Sequence, residues 1–198
     1  MRAVSAIGPV LFGLAAAAAA VPAGAQTTSA EQTVTILGQA EQLCILEAPS
    51  QAAVTSSNFN APVGSTFVIT ELADPDTLST RAANVTVAFP AMCNSVHRVT
   101  LLTENNGLWR DFGGVPSGGF GNAVPYQANI QWAGDQQMLT ADAAGRYQAQ
   151  QSMLVGVPAS GDILVEIEVS AGATNASTGA PLLAGDYADI LRLTVEPQ

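Results

Sequence analysis

The chain has 198 residues, with six arginines, no lysine, 16 acidic residues, one histidine and two cysteines, for a formal charge of −10 at pH 7. Charged residues make up 11%, against about 25% in average soluble proteins. This balance argues against nucleic acid and anionic membrane surfaces as partners, because both are bound through clustered Lys and Arg that displace counterions.

Residues 1–25 read as a secretory signal peptide. Arg2 is a minimal positive end, residues 7–21 form an apolar run, and Ala23-Gly24-Ala25 is a small-residue cleavage site. A transmembrane helix needs about 20 apolar residues, and this run is too short and too rich in alanine. No later stretch is apolar enough to span a bilayer, so no direct membrane insertion is expected after signal removal. Ten alanines lie in this segment, so the 48% hydrophobic content overstates the material for a core. The remainder, residues 26–198, has the length of one domain. It keeps five arginines against all 16 acids. Residues 26–32 are polar and read as a tail.

From there on, apolar periodicity is two. Val85, Val87 and Phe89 alternate with Thr86 and Ala88, and Ile163, Val165, Ile167 and Val169 alternate with Leu164, Glu166 and Glu168. Similar runs at residues 34–37, 66–71, 97–103, 124–132, 153–157 and 187–195 bring the total to about eight strands. Turn formers separate them: residues 73–76, 104–107, 113–119 and 173–184. No stretch offers an amphipathic helix of more than two or three turns. Short strands with Gly and Pro between them imply an all-β antiparallel sandwich. The last strand runs within three residues of the end of the sequence, and the first lies ahead of Cys44. Such an arrangement can expose an unpaired sheet edge, which needs a cover.

Cys44 and Cys93 are the only cysteines. In an exported chain a disulfide is the default, and closing a loop of about 50 residues stabilises by about 4 kcal/mol in the chain-entropy model. The alternative, a zinc site, would need carboxylates beside two Cys and one His. Neither a metal nor a cofactor is expected.

Catalytic arrangements find little support. A Ser-His-Asp triad would need His97 as base, but His97 shares a strand face with Val99 and Leu101 and reads as structural. The carboxylate pairs Asp74/Asp76, Glu166/Glu168 and Asp186/Asp189 invite comparison with glycosidases. Glu166 and Glu168 read more simply as a solvent face, and Asp74-Pro75-Asp76 as a turn. The glycines of residues 113–121 lack the Lys of a phosphate loop. Trp109 and Trp132 offer sugar-stacking faces if exposed, with one of the two expected in the core. No enzymatic activity is expected.

The run Gly185-Asp186-Tyr187-Ala188-Asp189-Ile190-Leu191-Arg192-Leu193-Thr194-Val195 resembles the closing strand of the spore coat protein U domain, shared by archaic chaperone-usher pilins: Gly-x-Tyr-x-Asp followed by alternating apolar residues. Val34-Thr35-Ile36 through Cys44-Ile45-Leu46 resembles the extended N-terminal segment of that family leading to a first cysteine. Val85-Thr86-Val87 through Cys93 resembles the strand carrying the second. The resemblance covers most of residues 26–198, with the C-terminal motif its specific part.

The resemblance implies an immunoglobulin-like antiparallel β-sandwich lacking its final strand and completed by donor-strand addition. Residues 26–40 would be the N-terminal extension and residues 41–198 the domain. The donor would be residues 33–40, with Val34 and Ile36 as apolar knobs and Gly38 and Ala40 as small ones. The acceptor groove would be lined by Tyr187, Leu191, Leu193 and Val195, with Gly185 and Asp189 completing the motif. Tyr187 is expected to bury its ring and hydrogen-bond its hydroxyl near the strand start. The implied function is a secreted structural subunit of a surface pilus or coat, with a role in adhesion or biofilm formation. Its implied partners are a periplasmic chaperone, an outer-membrane usher and neighbouring subunits, and its route runs through the periplasm to the cell surface. Two alternatives stay open: an ordinary last strand paired within its own sheet, and a self-complete extracellular adhesin or carbohydrate-binding module.

Overall fold

The structure is a computed structural model describing residues 31–50, 55–111 and 118–198. The expected signal segment, residues 26–30 of the expected polar tail, and Gly113 and Gly114 lie outside the described residues. The chain divides into two units at residue 39. In the first unit, residues 31–39 carry no secondary structure and are exposed. The strand expected at residues 34–37 is not formed. A strand is held by its ladder partner, and residues 31–43 join no ladder.

Residues 40–198 are all-β, and the sheets pair antiparallel, consistent with a β-sandwich. In the larger sheet, β1 (Cys44–Leu46) and β2 (Thr55–Ser57) both pair along β3 (Ala83–Cys93). Beyond β3 come β10 (Ala159–Val169), β7 (Tyr126–Trp132) and β8 (Asp135–Ala141). A second sheet has β4 (His97–Thr103) at its centre, flanked by β9 (Ala149–Val155) and β12 (Leu191–Pro197). A third, small sheet joins β11 (Tyr187–Ala188), β5 (Leu108–Arg110) and β6 (Ala123–Val124).

The period-two pattern has its expected result. Val85 and Val87 from β3, Val99 and Leu101 from β4, Ala128 and Ile130 from β7, Val155 from β9, and Ile163 and Val165 from β10 are all buried. The two larger sheets thus supply one core. Pro125 has no N–H to give a ladder, and it separates β6 from β7 within the run expected at residues 124–132. The β7–β8 hairpin turns on Ala133 and Gly134, both at positive φ, the geometry of a two-residue hairpin loop.

Two further expectations need correction. Residues 66–71 form only isolated bridges, Phe59 with Ile69 and Val63 with Thr66, each held by a single pair of main-chain hydrogen bonds rather than an extended ladder. The strand expected at residues 187–195 is two pieces: β11 belongs to the small sheet and β12 to the second, with a break at Asp189 and Ile190.

Candidate functional site: the free edge of the terminal strand

Among the described residues, β12 pairs with β4 on one side and with no strand on the other. The register decides which groups that second side presents. The Glu104 amide donates to the Ile190 carbonyl at 3.0 Å and the Gln198 amide to the Val96 carbonyl at 2.9 Å. In an antiparallel ladder, hydrogen-bonded pairs alternate with non-bonded ones. Residues 192, 194 and 196 therefore bond to β4, and the N–H and C=O groups of Leu191, Leu193 and Val195 point away from it along the open edge. Pro197 shares that parity, so its missing N–H costs no ladder bond.

The side chains of Leu191, Leu193 and Val195 pack against the core but remain only half-buried. The end of the larger sheet repeats the arrangement. The Glu47 amide donates to the Pro90 carbonyl and the Asn94 amide to the Leu43 carbonyl. By the same parity, the main-chain groups of Cys44 and Leu46 face outward from β1. Strands β1 and β12 lie close together, so two sheet ends with incompletely covered apolar side chains share one side of the domain.

The GxYxD motif fixes where β12 begins. Asp189 is a hydrogen-bond hub: its Oδ2 accepts from the Tyr126 hydroxyl at 2.8 Å, the Gly107 amide at 3.2 Å and the Thr103 hydroxyl. Its Oδ1 accepts from the Asn105 amide at 2.9 Å and the Ile190 amide at 2.7 Å. One carboxylate thus ties the start of β12 to the turn after β4 and to β7. Burial pushes the Tyr126 phenol well above its ordinary range, and the adjacent Asp189 charge adds to the shift. Tyr187 is half-buried, with its hydroxyl donating to the Leu183 carbonyl at 2.8 Å. Gly185 has φ +148°, and a Cβ there would lie 2.7 Å from Arg110 Nε, which itself donates to the Ala184 carbonyl at 2.7 Å.

Of the proposed donor residues, Val34 is 82% and Ile36 91% exposed; Gly38 and Ala40 are also exposed. Cys44 and Cys93 are joined in a disulfide, formed where β1 and β3 lie in register. His97 is fully buried beside it and packs with its ring tilted against the buried Trp132, 4.5 Å between ring centroids. Trp109 is half-buried, its indole N–H donates to the Asn105 carbonyl at 2.7 Å, and the Arg146 guanidinium lies over its ring. Trp132 is thus in the core, and Trp109 has the Arg146 guanidinium over its ring. Asp74 accepts from the Asp76 and Thr77 amides, as a turn residue does. Glu166 and Glu168 line a cavity of about 390 Å³ on the outer face of β7, β8 and β10, where Asn84 donates to Glu166 at 3.0 Å.

Sequence reasoning missed the partners of Asp189. Thr103, Asn105 and Gly107 read only as strand end and turn, and Tyr126 as part of another strand. They lie 63–86 positions from Asp189 in the chain, a separation at which no periodic signal operates. Comparison with protein-family models, curated proteins and solved structures finds no match to this chain.

Proposed function

We propose that the chain is an exported structural subunit of a chaperone-usher type surface filament or coat, whose domain is an immunoglobulin-like sandwich completed by a strand from a neighbour. The observation that carries this reading is the parity of β12. The residues whose main-chain groups face the open edge, Leu191, Leu193 and Val195, are those whose side chains lie half-buried on the core. A strand added there forms a ladder and covers the same apolar row at once. Closing it over three aliphatic side chains is worth about 1 kcal/mol each, and each main-chain hydrogen bond about another 1 kcal/mol net.

The donor in this reading is residues 33–40 of a second copy, in which Val34 and Ile36 repeat the two-residue spacing of the acceptor. Repetition of this head-to-tail contact gives an open filament. A chaperone strand holds the edge beforehand, an usher directs assembly, and the product serves adhesion or biofilm formation at the cell surface. The role is structural, without catalysis.

The test uses a chain lacking residues 26–40 and a synthetic peptide of residues 33–40. The peptide should raise the melting temperature and slow amide exchange at Leu191, Leu193 and Val195, and a peptide with Ile36→Asp should do neither. The intact chain should polymerise where the shortened chain does not. A stable monomer whose edge amides are already protected from exchange would overturn the reading.

A further inference from the structure

We propose that Cys44, Cys93 and His97 form a three-coordinate Cu(I) site in the dithiol state of the domain, the state in which every chain is synthesised. One ring nitrogen of His97 and both sulfurs lie within 4.8 Å of one another. Ligand atoms bonded to one ion at about 2.0–2.3 Å stand about 3.5–4 Å apart. The imidazole is therefore close to coordinating distance already, and the sulfurs need only part from their bonded separation.

The state of His97 supplies a second, independent observation. Its Nδ1 lies 2.8 Å from the Ser95 carbonyl. A carbonyl only accepts, so Nδ1 carries the hydrogen, and in the neutral ring Nε2 then presents a lone pair. That Nε2 is buried and has no hydrogen-bond partner, in a residue with 0% exposure. A buried acceptor left unpaired carries a desolvation penalty, and a metal ion removes it. An imidazole that ligates a metal characteristically donates its other ring N–H to a carbonyl or carboxylate, which fixes tautomer and orientation. Ser95 does this here, and the Trp132 ring packed against His97 limits its rotation. The indole N–H of Trp132 is itself unpartnered and does not satisfy Nε2.

The donor set selects the ion. Two thiolates and an imidazole suit Cu(I) or Zn(II), but a zinc ion takes four ligands. Among the described residues no carboxylate joins the three, and Cys93 and His97 are closed to solvent. Cu(I) is content with three. On binding, the thiols release their protons to solvent as two Cu–S bonds form. Closure of the disulfide is the competing fate: the sulfurs pass two electrons to an oxidising disulfide, the S–S bond forms, and Cu(I) leaves, since the thiolate is the ligand. Metal binding and the disulfide are thus mutually exclusive.

The experiment reduces the full chain with dithiothreitol, desalts it under argon and titrates it against Cu(I) held by a chromophoric bicinchoninate chelator, with near-ultraviolet circular dichroism reporting the fold. The dithiol chain should withdraw one equivalent of Cu(I) and the disulfide chain none. Cys44→Ser and His97→Ala should each weaken binding at least tenfold. If reduction costs the native dichroism, one equivalent of Cu(I) should restore it, and failure to do so overturns the proposal. So does a folded dithiol chain that takes no copper, or a His97→Ala chain that holds it as tightly as the parent. Tighter binding of Zn(II) than of Cu(I) refutes the choice of ion.

Discussion

Replacing Asp189 by alanine tests whether the GxYxD carboxylate is what anchors the terminal strand. The substitution removes the acceptor of four donors from other elements: the Tyr126 and Thr103 hydroxyls and the Asn105 and Gly107 amides. Asn105 is half-exposed and can turn to water, whereas Thr103, Tyr126 and Gly107 are buried. The two hydroxyls can pair with each other, which satisfies one of them and leaves a hydroxyl proton and the Gly107 N–H without acceptors. Each buried orphan costs about 1–3 kcal/mol, so the loss centres near 4 kcal/mol, a large share of the 5–15 kcal/mol typical of a domain. With a urea m-value of about 2 kcal/mol/M for a domain of this size, the unfolding midpoint should fall by about 2 M. Asp189→Asn keeps one acceptor oxygen but turns an NH₂ toward donors, and should fall between the two. Below the unfolding transition, amide exchange in β12 should accelerate while β3 and β10 stay protected. A midpoint within about 0.3 M of the parent would refute the anchoring role.

Four other perturbations follow from the same structure. Gly185→Ala places a methyl 2.7 Å from Arg110 Nε at φ +148°, and should cost about 1–3 kcal/mol, measured by thermal melting. Cys44→Ser with Cys93→Ser should lower stability by about 2–4 kcal/mol, since the closed loop spans 49 positions; equal denaturation curves for the oxidised and serine forms would refute this. Tyr126 and Tyr187 both have raised pKa values, mainly through burial. Their contribution is full below about pH 10. Above it the unfolded chain releases phenolic protons that the native state keeps, so stability should fall as pH rises toward the folded values. Tyr126→Phe should reduce that alkaline slope, read from urea midpoints between pH 9 and 11. Asp142 behaves oppositely: the Ala144 amide, then the Asn106 side chain, hold its carboxyl below the ordinary 3.8. The stability it lends is present above about pH 4 and lost as pH falls through its lowered value, and Asp142→Asn should flatten the acid limb.

What was legible in the sequence is what alternation writes. Strands β4 and β10 announce themselves because Val99 and Leu101, and Ile163 and Val165, recur every second residue, and these four are buried while Thr100 and Leu164 between them are only half-buried. Strand β8 was illegible because only Leu139 and Ala141 of its seven residues are buried; its existence depends on the hairpin with β7, a tertiary fact. The break at Asp189 was illegible for a related reason. Locally the residue sits among alternating apolar side chains, and only the donors gathered from β4, β7 and the intervening turn make the chain bend there.

The edge itself shows most sharply what a sequence leaves undetermined. Residues 191, 193 and 195 share a side-chain face by spacing alone, but side-chain direction does not say which main-chain groups bond to the neighbour. A register shifted by one residue relative to β4 would turn the apolar row outward. A partner strand on the other flank of β12 would keep the row inward while giving the open edge to Arg192 and Thr194. The observed parity assigns both the apolar row and the unpaired main-chain groups to the same three residues. An incoming strand therefore meets side-chain and main-chain demands at one set of positions, and Leu193→Asp should block the addition of residues 33–40 while leaving the β4–β12 ladder bonds of Arg192 and Thr194 in place.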